Sequence, residues 1–263
     1  MDGDADRIVY YYKDEEKQFH LLDGDRIATL AASFIGDLAR KAGIADKINI
    51  GVVQTAYANG ASTSYIEKNL KLPVTTTNTG VKHLHHAAAR YDVGVYFEAN
   101  GHGTVLFSPS ALKTIHTHDP SSPAQADALN TLQGLTELIN QTVGDAISDM
   151  LLVEAVLANK TWTCNDWFQT YSDLPNRLAR VEVADRNAFK TVEGTAERKL
   201  EKPQYVQKEI DELVKKYTDA RSFVRASGTE DAVRVYAEAR SKAEAEDLAK
   251  SVSEIVRKYG VAQ

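Results

Sequence analysis

The feature that most constrains the fold is an alternation of strand-like and helical segments between residues 49 and 98. These segments are, in chain order, strand 49–54, helix 62–70, strand 74–77, helix 81–90 and strand 93–98. Strands separated by helices of this length are typical of an α/β domain with a mainly parallel sheet. Because ligands bind such sheets at the carboxyl ends of the strands, three loops are the first candidates for a site: residues 55–60, 78–80 and 99–103.

The segments on either side of this alternation are mostly helical. Asp23 and Asp25 precede a long amphipathic run, so helix capping is a better interpretation of them than a second metal pair. Residues 109–123 are polar and rich in turn residues, which predicts an exposed excursion. Residues 124–159 predict two helices with a break near Gly144.

From about residue 173 the pattern indicates a second, smaller domain. Its strand-like and amphipathic runs are residues 177–183, 203–217, 222–225, 232–237 and 243–259. They predict an α+β unit in which helices cover one face of a four-stranded sheet. We therefore divide the chain into three parts: residues 1–19, 20–172 and 173–263.

The composition excludes several classes of function. The chain has 263 residues, a formal net charge of −6 and no Lys/Arg cluster, which argues against nucleic-acid binding. No apolar run approaches the ~18 residues of a membrane span, and the N-terminus lacks the features of a secretory signal. One cysteine, Cys164, fits a reducing compartment. We expect a cytoplasmic protein without nucleic-acid or membrane partners.

Three aspartates alternate with other residues at the start of the chain: Asp2, Asp4 and Asp6, followed by Arg7. In a tight loop this spacing turns three carboxylates toward one point, where a cation would relieve their mutual repulsion. Such oxygen ligands suit Mg²⁺, which keeps positions open for phosphate oxygens. A calcium EF-hand is disfavoured because its sixth position would hold Arg7 instead of Gly. The aspartates alone fit a Mg²⁺ site or a solvated acidic terminus.

Two further loops carry side chains suited to an anion or a sugar. Residues 225–230 (Arg-Ala-Ser-Gly-Thr-Glu) offer phosphate oxygens a guanidinium fork, two hydroxyls and a glycine nest, with Arg234 on the following strand. Residues 98–103 (Glu-Ala-Asn-Gly-His-Gly) offer a carboxylate, an amide and an imidazole to sugar hydroxyls or an acetamido group. Each stretch taken alone also fits an ordinary turn.

Lys82 begins a predicted helix and is followed by three histidines within residues 83–86. Zinc binding is disfavoured, because only the first and third of these histidines share a helix face and no cysteine lies nearby. The N–H groups of Gly80 and Val81, which precede the first full turn, together with Lys82 suit an anion better.

Together these motifs resemble those of the α-D-phosphohexomutase superfamily, in the order of residues 2–7, 80–82, 98–102 and 225–230. Three longer stretches are similar to the eukaryotic phosphoacetylglucosamine mutase family: residues 79–86 (TGVKHLHH), 95–103 (VYFEANGHG) and 173–186 (DLPNRLARVEVADR). The resemblance covers essentially the whole chain and implies the C-terminal half of such an enzyme. Members interconvert N-acetylglucosamine 6-phosphate and 1-phosphate through a phosphoserine and a bisphosphate intermediate, in the synthesis of UDP-N-acetylglucosamine.

The resemblance also implies roles for individual residues. Asp2, Asp4 and Asp6 would be the Mg²⁺ ligands, and Arg7 and Lys82 would act on the phosphoryl group. The remaining candidates would bind the sugar phosphate: Gly80, Val81, Glu98, Asn100 and His102 on the sugar side, and Arg225, Ser227, Gly228, Thr229 and Arg234 at the non-transferring phosphate.

By the same resemblance, residues 1–19 would be a remnant of the metal-binding domain two, residues 20–172 the sugar-binding domain three, and residues 173–263 the phosphate-binding domain four. The chain departs from the family in having no Thr-Ala-Ser-His-Asn-Pro-like stretch, which carries the phosphoserine. We therefore expect no mutase activity from this polypeptide alone, and a metal loop that frays and binds Mg²⁺ weakly. The alternative function is non-catalytic binding of a sugar phosphate, and the one protein partner to expect is the missing N-terminal half.

Overall fold

The computed structural model describes residues 1–260, which form two compact units. Unit 1 comprises residues 1–76 and 80–172, and unit 2 comprises residues 77–79 and 173–260. Apolar side chains form a separate core in each unit. Within residues 1–260, every helix is too short or too polar to cross a lipid bilayer.

Unit 1 contains a hairpin, a four-stranded sheet and the helices that cover it. Its elements are, in chain order, β1 (Tyr10–Lys13), β2 (Phe19–Leu22), α1 (Gly24–Lys41), β3 (Ile50–Thr55), α2 (Gly60–Tyr65, continued by a π-helical turn at Ile66–Leu70), β4 (Val74–Thr77), α3 (Val81–Ala88), β5 (Val93–Phe97), β6 (Gly103–Phe107), α4 (Pro109–Thr117), α5 (Pro123–Leu138), α6 (Ala146–Lys160) and α7 (Cys164–Phe168).

The sheet of unit 1 has the strand order β4-β3-β5-β6. Strands β3 and β5 pair in parallel, with Val52 opposite Val95, whereas β5 and β6 are antiparallel, with Val95 opposite Val105. The predicted α/β class is therefore confirmed, but the sheet is mixed and not mainly parallel. The sequence analysis missed β6 because the glycines on either side of His102 indicate a turn, and the strand that follows is only five residues long.

Helix α1 lies at the centre of the core of unit 1. The side chain of Asp23 caps it by accepting the N–H of Arg26, as the sequence predicts. Asp25 accepts the backbone N–H of Asn59 at 2.7 Å, so its carboxylate also has a structural role. The buried guanidinium of Arg26 donates to the carbonyl oxygens of Phe168 and Tyr171 and lies over both rings. These contacts attach the end of the unit to its central helix.

The prediction of an exposed excursion over residues 109–123 is wrong, because residues 109–117 form α4. Ser108 caps this helix by accepting the N–H of Ala111, and a proline occupies the first helical turn. Ala111 and Ile115, one turn apart, are fully buried. The helical signal was weak because polar residues on the opposite face dominate the composition of this stretch.

Unit 2 is an antiparallel sheet with two helices. Its elements are β7 (Asn176–Glu182), β8 (Lys190–Thr191), β9 (Leu200–Lys202), α8 (Gln204–Val214), β10 (Arg221–Ala226), β11 (Ala232–Glu238) and α9 (Lys242–Gly260). Among the described residues of this unit the main sheet has three strands, in the order β10-β11-β7, and not the four that were predicted. Strand β9 pairs with β8 in a separate ladder. Side chains from one face of the main sheet share a core with α8 and α9.

We expect the stability of the chain to fall as pH rises because of one buried carboxyl. Asp149 is 1% exposed, and burial, reinforced by the charge of Asp145, raises its pKa to about 8. The native state therefore keeps a proton that the unfolded state loses above its ordinary pKa near 4. The resulting loss of unfolding free energy, up to about 1.4 kcal/mol per pH unit between pH ~4 and ~8, should disappear in Asp149→Asn.

Urea denaturation at pH 5, 6, 7 and 8 measures this effect. Asp149→Asn should gain stability relative to the unaltered chain as pH rises, whereas the exposed Asp127→Asn on α5 should show a constant difference. A pH-independent difference for Asp149→Asn would contradict the prediction.

Candidate functional site

The three aspartates of the first loop lie together. One carboxylate oxygen each from Asp2, Asp4 and Asp6 falls within 4.8 Å of the other two. Arg7 Nε lies 2.8 Å from Asp2 Oδ2 and 3.1 Å from Asp6 Oδ1, which offsets part of their repulsion. A set made of carboxylate oxygens alone fits a hard divalent cation such as Mg²⁺. In the part of the chain that the structure describes, the histidines at 83–86 form no comparable group.

Hydrogen bonds inside this loop favour its ionised form. The N–H of Arg7 donates to Asp2 Oδ1 at 3.2 Å, and the N–H of Asp2 donates to the carbonyl oxygen of Arg7 at 3.3 Å. Desolvation works to raise the pKa of Asp2, but its hydrogen bonds with Arg7 and Asp6 outweigh desolvation and lower that pKa. The loop therefore presents negative charge at neutral pH.

The turn between β5 and β6 carries Glu98, Asn100 and His102. The N–H of Gly101 donates to the carbonyl of Glu98 at 2.8 Å, and the N–H of Glu98 donates to the carbonyl of His102 at 2.9 Å. Asn100 Oδ1 accepts the N–H of His102 at 3.0 Å. Gly101 has φ +87°, and a Cβ there would lie 1.8 Å from the carbonyl oxygen of Ile8. The turn thus tolerates only glycine where it meets the end of the metal loop.

The side chain of Glu98 contacts the start of α3. Glu98 Oε1 accepts the N–H of Gly80 at 3.1 Å. The expectation that the N–H of Gly80 serves an external anion is therefore wrong, because a carboxylate of the chain already takes it. Val81 and Lys82 follow in the first turn of α3, and Lys82 is exposed.

A cavity of about 440 Å³ in unit 1 brings several of the predicted residues together. Asp6 from the metal loop, Val81 and Lys82 from α3, and His102 from the β5–β6 turn all line it. The other lining residues are His85, His86, Tyr96, Thr142, Val143 and Gly144. Metal loop, helix start and sugar loop therefore meet at one concave surface.

The sequence analysis missed two components of this cavity. Tyr96 is 1% exposed, and its hydroxyl lies 3.0 Å from His85 Nδ1. Burial, with the charge of Asp149, raises the pKa of Tyr96 to about 12, so the hydroxyl stays protonated. A tyrosine in a buried strand is typical of a core residue, and no pattern marked its hydroxyl. Residues 142–144 had appeared only as a break between helices.

The candidate phosphate residues of unit 2 lie at the β10–β11 turn. Ser227 is buried, whereas Gly228 and Thr229 are exposed. Gly228 does not have a left-handed φ, so the predicted nest of amides around it is not formed. Arg225 pairs with Arg234 across the ladder, which directs both side chains to the same face of the sheet.

A third arginine extends this pair across the sheet. Arg180 on β7 lies opposite Arg234, so Arg180, Arg234 and Arg225 form a row over three strands. Glu230 accepts from Arg180 Nε and Nη2 at 3.0 and 2.9 Å and from Arg234 Nη2 at 3.2 Å. Glu197 Oε2 lies 3.6 Å from Arg225 Nε. The hydrogen bond from Arg180 lowers the pKa of Glu230, so carboxylates offset a row of positive charge that suits an anion.

The sequence analysis did not nominate Arg180. The residue sits in a strand of alternating character, where an exposed arginine carries no signal of its own. Only the strand order, which sets β7 beside β11 across a gap of about fifty residues, brings it next to Arg234.

Comparison with known families identifies both parts of the chain. Residues 23–162 match the family model for domain III of phosphoacetylglucosamine mutase AMG1. Residues 178–255 match the model for the C-terminal domain of phosphoglucomutase/phosphomannomutase. These matches and the mixed α/β fold place the chain in the α-D-phosphohexomutase class. Because the first match covers more than half of its residues, the chain belongs to the phosphoacetylglucosamine mutase family.

Individual relatives agree with this assignment. Phosphoacetylglucosamine mutase 2 of Schizosaccharomyces pombe is 56% identical over 256 residues, which are 97% of this chain and 46% of the relative. The Candida albicans enzyme is 54% identical, over 98% of this chain and 47% of its own length. The solved structure of Aspergillus fumigatus N-acetylphosphoglucosamine mutase with GlcNAc-6P and magnesium has a TM-score of 0.95 and 69% identity, over 97% of this chain and 51% of that one. The chain thus spans about half the length of the relatives it matches.

We expect Gly101→Ala to destabilise unit 1. A left-handed φ disfavours any side chain, and the new Cβ would overlap the carbonyl oxygen of Ile8. The expected loss of unfolding free energy is about 2 kcal/mol or more. Gly134→Ala in α5 is the matched control, since a Cβ there meets nothing within 4 Å. Thermal unfolding of both variants measures the difference, and equal midpoints would contradict the prediction.

Proposed function

We propose that this chain carries the metal-binding, sugar-binding and phosphate-binding parts of a phosphoacetylglucosamine mutase, which interconverts N-acetylglucosamine 6-phosphate and 1-phosphate. The observation that carries the proposal is the convergence of Asp2, Asp4 and Asp6 within 4.8 Å, next to a cavity that Lys82 and His102 line. Membership of the family, and an Aspergillus fumigatus relative solved with GlcNAc-6P and magnesium, support it.

The metal loop supplies charge at the reacting phosphoryl group. Asp2, Asp4 and Asp6 would hold Mg²⁺, and a bound Mg²⁺ supplies neutralisation of the charge on a transferring phosphoryl group. Arg7, held against Asp2 and Asp6, adds a fixed positive charge beside it. Lys82 is exposed at the cavity, where its ammonium can contact a phosphate oxygen or exchange a proton with a sugar hydroxyl.

The β5–β6 turn orients the sugar. Glu98 uses Oε1 to accept the N–H of Gly80, which fixes its carboxylate and leaves Oε2 to accept a sugar hydroxyl. Asn100 uses Oδ1 to accept the N–H of His102, so its N–H₂ group faces the task of donating to a hydroxyl or acetamido oxygen. Val81 and His102 add walls to the cavity. An acceptor and a donor on one rigid turn favour an N-acetylated sugar.

The turn of unit 2 would bind the phosphate that is not transferred. Arg225 and Arg234 direct guanidinium groups to one face, and Ser227, Gly228 and Thr229 supply hydroxyls and backbone N–H groups beside them. A phosphate dianion then competes with the carboxylates of Glu197 and Glu230 for the same arginines. The dianion carries the greater charge and can accept two bonds from each guanidinium.

In this proposal residues 1–19 belong to domain two, residues 20–172 form domain three and residues 173–263 form domain four of a cytoplasmic enzyme of UDP-N-acetylglucosamine synthesis. The sequence contains no stretch like the family's phosphoserine loop. Group transfer needs that serine as the phosphoryl donor. The chain alone therefore binds substrate without turning it over, and the second candidate is a non-catalytic sugar-phosphate-binding protein, which the missing serine motif favours.

Calorimetry with N-acetylglucosamine 6-phosphate tests binding. We expect saturable binding to the unaltered chain and an affinity about tenfold to a hundredfold lower for Arg225→Ala, because a charge-assisted hydrogen bond contributes about 1.5–3 kcal/mol. Arg240→Ala is the control, since its exposed guanidinium pairs with Asp219. Equal affinities for both variants, or no binding to the unaltered chain, would argue against the assigned phosphate site.

A coupled assay tests the catalytic part. The purified chain, given N-acetylglucosamine 6-phosphate, Mg²⁺ and a sugar bisphosphate primer, should form 1-phosphate no faster than a protein-free blank. Turnover that persists at constant specific activity through a second purification would overturn the claim that the chain alone is inactive.

A further inference from the structure

The metal loop is held from outside by two segments that are distant in sequence. The N–H of Ile8 donates to the carbonyl of Gly101 at 3.2 Å, at the loop's end. In its middle, Ala5 has a left-handed φ of +58°, and its carbonyl accepts the N–H of Ala146 at 2.9 Å. A non-glycine residue adopts this φ only when its surroundings hold it there. The first turn of α6 therefore contributes directly to the shape of the loop.

The imidazole of His102 connects the same two segments. His102 Nδ1 lies 3.6 Å from Asp6 Oδ2, one of the carboxylates that converge. The opposite side of the ring lies against Gly144, where a Cβ would fall 2.3 Å from His102 Cδ2 and 2.5 Å from Nε2. Gly144 does not have a left-handed φ. Its backbone thus accommodates a side chain, and the space that the imidazole fills is what requires glycine.

The backbone at residue 144 is itself rigidly placed. Asp145 Oδ1 caps α6 by accepting the N–H groups of Ile147 and Ser148, and Asp145 Oδ2 accepts from Asn140 Nδ2 at 3.2 Å. The hydroxyl of Ser148 accepts the N–H of Asn140 and donates to a carbonyl at the end of α5. If a side chain were added at residue 144, the imidazole would move and not this network.

We propose that residues 144–146 are a platform that positions the metal-binding loop, in which Gly144 sets the place of His102 against Asp6 and the N–H of Ala146 holds Ala5. Gly144 is a positioning residue, since it acts through His102 and touches neither metal nor substrate. Partners that orient a ligating carboxylate typically change metal affinity by a factor of ten or more when they are disturbed. The inference rests on the proposed metal site at Asp2, Asp4 and Asp6.

The test is Mn²⁺ binding to the full chain, followed by electron paramagnetic resonance. Gly144→Ala should weaken Mn²⁺ binding about tenfold, whereas Gly134→Ala, with no neighbour within 4 Å of its Cβ, should leave it unchanged. His102→Ala should also weaken binding. In the His102→Ala background, adding Gly144→Ala should have no further effect, because the ring through which Gly144 acts is gone.

Hydrogen–deuterium exchange of the metal-free chain gives a readout that needs no cation. Gly144→Ala should speed exchange in residues 2–8 and leave α5 and the β3–β5 core unchanged. Uniformly faster exchange would indicate general destabilisation and overturn the inference, as would additive effects of Gly144→Ala and His102→Ala on Mn²⁺ binding. If the unaltered chain binds no Mn²⁺ saturably, the metal site of the proposed function fails. The exchange pattern then decides the positioning inference by itself, and unchanged exchange in residues 2–8 rejects it.

Discussion

The mutual repulsion of Asp2, Asp4 and Asp6 is the constraint around which unit 1 is arranged. Three carboxylates within 4.8 Å of one another are unfavourable unless charge and geometry are supplied from elsewhere. Arg7 supplies part of the charge. The turn at Gly101 and the first turn of α6 supply the geometry, through hydrogen bonds to the two ends of a strained loop. The local acidic motif thus depends on residues a hundred positions away.

Unit 2 shows the same principle with the opposite sign. Arg180, Arg234 and Arg225 stand in a row across three paired strands, and two glutamates lie against them. Each unit therefore stores like charges on a rigid frame and offsets them only in part. Such sites attract a counter-ion of the complementary kind, a divalent cation in unit 1 and a phosphate in unit 2. This arrangement suits the chemistry of a transferring phosphoryl group, where charge neutralisation is the main task.

Elements with strong local signals were predictable. The cap at Asp23, the helix that begins at Val81 and the buried strand at residues 93–97 each follow from spacing and residue type. Helix α4 was missed because only a few of its side chains face the core, and β6 was missed because glycines before it indicate a turn. The fourth strand of unit 2 was predicted but does not join the main sheet. Strand partners depend on distant segments, which local periodicity does not describe.

By itself, the sequence determined the kinds of ligand that the chain can attract and the family to which it belongs. Acidic, basic and glycine-rich motifs keep their order and chemistry whatever the details of the packing. Only the tertiary structure decided how those groups are used. It gave the N–H of Gly80 to Glu98, placed Arg180 beside Arg234, and set Gly144 against His102. Each of these contacts joins residues from different elements, so each depends on strand register and close packing that no local pattern contains.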